Sequence, residues 1–297
     1  MQGLLFEEGE WRRVAPFTRQ LLKWVGSKQR LAHRIASYFP LQMRRYIEPF
    51  LGSGAVLGTL APATAIASDV FPPLMEIWQT LQRDPVTIKR WYTDRWHAMS
   101  RGDKITEYEK IKASYNAAPN GADLLFLCRS CYGGVVRFRK ADGFMSTPCG
   151  IHAPISPSSF ARRVDEWHKR TAGTDFLFGN YADAMDMAQG GDLVYCDPPY
   201  RETQSILYRA QTFRLSHLFH IIARCKARGV YVALSIDGTK RSGNRVCDVP
   251  IPDGLFEHEI YLDCGRSMLR RFQMGGQTLE GEIVTDRLLL TYNASDR

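Results

Sequence analysis

Tyr46-Ile47-Glu48-Pro49-Phe50-Leu51-Gly52-Ser53-Gly54 reads as a strand, Tyr46 to Phe50, that runs into a turn carrying two glycines and then opens a helix. Glycine tolerates backbone angles closed to other residues and lets a ligand approach the main chain. In an open α/β sheet, the first strand-to-helix turn is also where a nucleotide-like ligand binds. Tight strand–helix packing would use the same glycines, so the turn alone leaves both readings open. The following strand, Ala65-Ile66-Ala67-Ser68, ends at Asp69. A carboxylate there commonly holds the two ribose hydroxyls of a bound nucleoside. The chain has no Gly-x-x-x-x-Gly-Lys-Ser/Thr phosphate loop, and Leu57 stands where the third glycine of Gly-x-Gly-x-x-Gly would fall. A phosphate-free nucleoside cofactor therefore fits better than NAD or ATP.

Working outward, strands and helices alternate as in a doubly wound sheet. Ser27 is expected to cap a helix through Leu31 and Ile35, and Leu74, Ile77, Trp78 and Leu81 predict a helix over residues 73–82. Leu193 to Cys196 reads as a buried parallel strand. Leu215, Leu218, Phe219 and Ile222 mark a helix that Gly229 ends, and Val230 to Leu234 returns as a strand. Glu259 to Leu262 and Arg287 to Tyr292 read as further strands. Between about residues 88 and 170 the alternation is lost, and the segment is polar, basic and helical before a glycine-rich, hairpin-like stretch. The expected fold is an α/β, doubly wound, Rossmann-like sheet with an inserted, mainly helical domain that selects the substrate. Residues 18–87 and 171–297 form the two halves of the sheet and 88–170 the insert.

The chain of 297 residues is 44% hydrophobic and 24% charged, the balance of a globular protein. No apolar stretch approaches the roughly 20 residues of a membrane span, and the start, Met1 to Glu8, is acidic where a secretory signal would be basic. A cytoplasmic protein without a membrane partner is expected. Seven cysteines, an odd number, read as reduced thiols. The net charge of +8 points to an anionic partner, with nucleic acid the first candidate.

Asp197-Pro198-Pro199-Tyr200 closes the run Leu193 to Cys196 and supplies a carboxylate, a rigid carbonyl and an aromatic face. The two prolines stiffen the turn because each fixes φ near about −65°. An ordinary strand-to-loop turn can also use Asp-Pro-Pro. As a site, however, the tetrapeptide suits methylation of an exocyclic amino group on a flat base. Such a nitrogen is a poor nucleophile because its lone pair is delocalised into the ring. Acceptors for its two N–H groups, the Asp197 carboxylate and the Pro198 carbonyl, would draw the lone pair back onto nitrogen. Tyr200 would stack on the extruded base. S-adenosylmethionine, a phosphate-free nucleoside, carries the methyl group that this chemistry requires.

With these residues together, the chain resembles the Dam-type, D12-class DNA adenine N6-methyltransferases over nearly its whole length, from about Leu21 to Tyr292. Leu22-Lys23-Trp24-Val25-Gly26-Ser27-Lys28 is similar to the family's N-terminal Lys-Trp-x-Gly-x-Lys signature. The resemblance implies that Trp24 and Lys28 contact the cofactor and that Lys23 reaches a base in the DNA. Glu48 to Gly54 matches the family's cofactor loop, implying roles for Phe50, Gly52 and Gly54, and Asp69 matches its ribose-binding acid. Asn180-Tyr181-Ala182-Asp183 resembles the segment beside the cofactor adenine. The catalytic set implied is Asp197, Pro198, Pro199 and Tyr200, with Asp197 also near the cofactor.

A fifth resemblance is Cys131-Tyr132-Gly133-Gly134-Val135-Val136-Arg137-Phe138-Arg139, followed by Gly143-Phe144 and Pro148-Cys149-Gly150. In the family this is a hairpin entering the DNA groove, and its arginine reads a guanine. Arg137 falls on that position, where a planar fork bonds guanine O6 and N7 together. A phosphate-contacting or solvated arginine is the plainer alternative. The sequence departs from the family at Gly133-Gly134, where Asn-Gly is usual, at Arg139, where Asn is usual, and at Phe144-Met145-Ser146-Thr147-Pro148, where Phe-Asn-x-Pro is usual. These changes fall on the reading surface, so a GATC target does not follow. Lys23, Arg137 and Arg139 are the expected contacts to double-stranded DNA.

Cys128, Cys131, Cys149 and His152 have zinc-ribbon-like spacing. The family builds this hairpin without metal, so no metal is assigned. Cys196 is read as strand packing, the other histidines receive no role, and residues 162–170 are expected to form a solvated helix face. Ser267 to Gly281, which contains Arg270 and Arg271, is expected to order only on DNA. The reading is a monomeric enzyme that flips adenine and methylates N6 without metal or covalent intermediate, compatible with a restriction-modification system whose nuclease acts separately. Two alternatives remain open. One is methylation of another amino group, on cytosine N4, RNA adenine or protein glutamine, and the other is a non-catalytic DNA-binding module on the same fold.

Overall fold

The computed structural model describes residues 12–139, 141–199, 213–240, 250–266 and 283–293. Helix α1 (Ala32–Ser37) precedes β1 (Tyr46–Glu48), and α2 (Ala55–Leu60) joins β1 to β2 (Ala65–Asp69). Five helices follow: α3 (Pro72–Arg83), α4 (Pro85–Arg101), α5 (Lys104–Ala117), α6 (Gly121–Ser130) and, after the hairpin region, α7 (Pro157–Arg170). The chain then returns to the sheet through β3 (Thr174–Phe178), α8 (Tyr181–Asp186) and β4 (Leu193–Cys196). Helix α9 (Leu215–Ala227), β5 (Tyr231–Lys240), β6 (His258–Arg266) and β7 (Ile283–Leu290) complete it.

The seven strands lie in the order β3-β2-β1-β4-β5-β7-β6. β3 through β5 are parallel, whereas β7 is antiparallel to both β5 and β6. This is the expected doubly wound, Rossmann-like sheet. The order of the parallel strands reverses between β1 and β4, whose registered pairs are Tyr46 with Leu193 and Ile47 with Val194. Chain direction makes the loops after these two strands leave side by side at one edge of the sheet. A crevice at such a switch point is where open α/β sheets bind ligands.

The central strands are buried on both faces, β1, β2 and β4 nearly without interruption, which explains why they read as short apolar runs. β3 was not recognised in the sequence. It is an edge strand of which only Thr174 and Phe176 are buried, so the apolar Leu177 and Phe178 at exposed positions break the apolar–polar alternation. Strand ends also moved: β1 stops at Glu48 before Pro49, and β7 stops at Leu290. Ser27 does not cap α1. That helix begins after Leu31, and the Ser27 hydroxyl instead accepts from Ser53 Oγ at 2.9 Å.

The helices between β2 and β3 do not make a core of their own. Tyr92, Leu124, Phe126, Phe160 and Trp167 share one buried cluster with Tyr46, Ala65 and Trp78 of the sheet region. Helix α7, expected to present a solvated charged face, buries Phe160, Val164 and Trp167. Its arginines are also engaged: Arg163 donates to the Gln20 carbonyl, and Arg170 donates to the Gly58 carbonyl and lies 4.0 Å from the Phe17 ring centre. The apolar i, i+4, i+7 spacing of those three residues carried that signal.

Candidate active site

The turn after β1 is shaped by Gly52 and Gly54, with φ of +48° and +63°. Leu51 N donates to Ser68 O and Gly54 N to Leu51 O, so the turn is pinned to β2 and to itself. A Cβ on Gly52 would stand 3.2 Å from the Trp24 ring. Trp24 therefore covers the turn as closely as a glycine allows. The Asp69 carboxylate accepts from Gly52 N at 3.0 Å and from Phe71 N at 3.1 Å. Burial raises its pKa, and these backbone donors oppose the rise. Trp24, Gly52 and Asp69 thus form one continuous wall, and a glycine cradle beside a strand-end acid fits a nucleoside.

Phe50 and Tyr181 lie next to each other on the second side of the crevice, stacked with ring centres 4.9 Å apart and 23° between planes. Asn180 caps α8 by accepting from Ala182 N at 3.0 Å, which places Tyr181 at the helix start. Phe213 meets both rings edge-on, at 5.8 Å and 5.7 Å, and His217 Nδ1 is 2.8 Å from Tyr181 Oη. A planar group between Phe50 and Tyr181 would need centres about 7–8 Å apart, twice an ordinary carbon contact. The pair therefore presents one combined surface, with Phe213 and His217 bracing it. Neither bracing residue was singled out in the sequence, where they lie just beyond the catalytic tetrapeptide with no spacing of their own.

Lys28 reaches the mouth of β4. Its ammonium is 3.1 Å from Asp197 Oδ1 and 3.2 Å from Asp286 Oδ2, with the lysine side chain 7% exposed. Burial alone would lower the lysine pKa, but the two carboxylates outweigh it and hold the ammonium charged. Glu48, below the turn, accepts from Tyr46 Oη at 2.8 Å and from Leu57 N at 3.0 Å. Burial pushes its carboxyl up to about 8, against the Tyr46 bond and with help from the nearby Asp197 charge. The environment thus favours a neutral Glu48 beside an ionised lysine–aspartate pair. Pro198 is buried and Pro199 partly so, while Tyr200 lies outside the described residues, as does the 267–281 segment.

The hairpin keeps its register through bridges between Cys131 and Cys149 and between Phe138 and Met145. Gly134, with φ +67°, packs against the stem of Lys23: an added Cβ would be 2.7 Å from Lys23 Cδ. Lys23 and Arg137 are both exposed on this part of the molecule. The backbone of Arg137 is fixed by donation to Thr147 Oγ1 at 2.9 Å. Arg139 makes a two-pronged contact with Asp142, at 3.2 Å and 2.6 Å, and its guanidinium lies 4.2 Å from the Phe144 ring centre. Among the described residues no three or more His, Cys, Asp or Glu side chains are grouped to hold a metal. Cys128 and Cys131 are buried, and burial raises both thiols.

Residues 24–245 match the family described as D12 class N6 adenine-specific DNA methyltransferase. The chain belongs to this family. A DNA N-6-adenine-methyltransferase of Escherichia phage P1 is 28% identical over 203 residues, which are 67% of this chain and 26% of that protein. A DNA adenine methylase of Vibrio cholerae is 25% identical over 191 residues, covering 61% and 65% of the two chains. A type II methyltransferase of Lactococcus lactis subsp. cremoris is 26% identical over 245 residues, covering 75% and 81%. The similarity thus spans about a quarter of the phage relative and about two thirds of the Vibrio one. The family match takes in the N-terminal signature from Trp24, the glycine turn, the whole helical insert and Asp197. It stops before β6 and β7, which carries Asp286.

Proposed function

We propose that the protein transfers a methyl group from S-adenosylmethionine to N6 of an adenine flipped out of double-stranded DNA. The observation that carries this reading is the adjacency of two loop ends at the switch point: the glycine turn after β1, tied to the neighbouring segment by the Ser53–Ser27 bond, and Asp197 after β4, paired with Lys28. When bound, the cofactor supplies an electrophilic methyl group. Trp24, Gly52 and Asp69 are the residues to hold its nucleoside part, and Phe50 and Tyr181 offer the apolar surface beside them. Lys28 fixes the direction of the Asp197 carboxylate. Asp197 and the Pro198 carbonyl then accept the two N–H groups of the target amine, localising its lone pair. Tyr200 stacks on the flipped base.

The helical insert of residues 88–170 is the target-recognition part in this reading, with Lys23, Arg137 and Arg139 toward the DNA. A net charge of +8 favours a polyanion. No helix among the described residues is long and apolar enough to cross a membrane. The test is incubation with methyl-labelled S-adenosylmethionine and unmethylated duplex DNA, followed by nucleoside analysis. Label in N6-methyladenine is expected. Label in N4-methylcytosine, or none in DNA, overturns the proposal.

A further inference from the structure

Among the described residues two carboxylates pair with Lys28, where charge balance requires one. Asp197 reaches it from the end of β4 and Asp286 from β7, and the three side chains are 7%, 18% and 10% exposed in the order Lys28, Asp197, Asp286. Placing a second carboxylate in so dry a position has a desolvation cost that a plain ion pair avoids. Asp286 holds its place although Tyr195, Glu48 and Asp197 approach the same region, and Asp237 is its register partner on β5. An extra buried acid is therefore unlike packing. Its effect is to divide the lysine between two partners.

We propose that Asp286 is a positioning residue that shares Lys28 with Asp197 and so preserves the acceptor strength of Asp197 toward the target amine. The proposal rests on the functional reading above. A buried ammonium paired with one carboxylate alone is drawn fully onto it and competes with any other donor for its electron density. Held between two carboxylates, the same ammonium fixes the orientation of Asp197 while neutralising it less. The triad as a whole carries one negative charge, which suits a cationic methyl donor. Asp286 need not touch donor or acceptor to do this. It acts through Lys28.

The test compares Asp286→Asn and Asp286→Glu with wild type by two measurements. The first is the rate at which a small amine-reactive reagent labels Lys28 in the full-length protein, followed by mass spectrometry of the peptide. Losing a carboxylate counter-ion should lower the lysine pKa, so Asp286→Asn labels about tenfold faster and Asp286→Glu near the wild-type rate. The second is single-turnover methyl transfer to duplex DNA at saturating S-adenosylmethionine. Here Asp286→Asn should fall about tenfold or more, with Asp286→Glu recovering part of the loss and cofactor affinity changing by less than about threefold. Labelling of folded Asp286→Asn within about twofold of wild type, or transfer within about twofold, overturns the proposal. If Asp286→Asn does not fold, Asp286→Glu decides, because moving the charge by one methylene should still slow transfer and an unchanged rate overturns the idea. If wild type itself transfers no methyl group, the functional reading falls, and the labelling still shows whether Asp286 holds Lys28.

Discussion

Asp197 and Asp69 both stand at strand ends, yet truncating them should have different effects. Asp197→Ala removes a positioned acceptor in a water-poor site, at a cost of on the order of 3 kcal/mol or more in the barrier. Transfer should collapse while cofactor affinity falls much less, and a rate within about tenfold of wild type rejects Asp197 as the acceptor. Asp69→Ala should do the reverse and weaken S-adenosylmethionine binding, measured by calorimetry on a folded variant. Unchanged affinity would move the cofactor elsewhere. Glu48 gives a third expectation, in stability rather than rate. Its carboxyl is pushed from an ordinary value of 4.5 up to about 8, so the folded protein keeps a proton that the unfolded chain has released. Folding is then favoured most below the unfolded pKa, and that contribution is lost as pH rises from about 4.5 through about 8. Glu48→Gln keeps an acceptor for Tyr46 and Leu57 but cannot ionise. Thermal melts of the two proteins should therefore diverge with rising pH by on the order of a few kcal/mol, and parallel curves would show that Glu48 is ionised in the fold.

At the scale of elements, the hairpin between α6 and α7 carries the specificity expectation. If Arg137 bonds a guanine through both prongs, Arg137→Ala should lose about 1–3 kcal/mol of discrimination at one base position. A phosphate contact would instead weaken all sequences together and reduce the salt slope by about one unit. A panel of single-base-substituted duplexes at two salt concentrations separates them. The Arg139 fork already holds Asp142 and its plane lies on Phe144, so reading a base with it would break those contacts. The elements differed in how legible they were. The glycine turn, Asp69 and the β4 strand could be read because local sequence dictates them: φ must be positive at Gly52, and β4 is apolar because both of its faces are covered. β3 could not, since an edge strand with exposed Leu177 and Phe178 lacks that pattern. Asp286, Phe213 and His217 were missed for another reason. Each acts through a partner distant in sequence, and nothing near Asp286 announces that Lys28 will lie beside it.

Across the whole molecule, one of the closest contacts between the insert and the rest of the fold is where α7 meets α2. A Cβ on Gly58 of α2 would stand 2.4 Å from Trp167 of α7, which is itself wedged between Phe17 and Trp78 with ring centres at 5.3 Å and 5.2 Å. Gly58→Ala should cost about 1–3 kcal/mol through overpacking, seen as a lower melting temperature. A melt equal to wild type would mean that α7 rides on α2 more loosely than this geometry implies. The sheet order has a consequence in time as well. β7 enters between β5 and β6, although it is made after both. A chain emerging from the ribosome at about 5–20 residues per second must leave β6 without its sheet partner until β7 arrives to pair with β5 on one side and β6 on the other. Lys28, made long before β7, waits through that interval for the Asp286 of β7. An unfinished chain can own the glycine turn, the insert and Asp197 and still lack the second counter-ion. Assembly of this charge cluster is thereby postponed until β7 has been made.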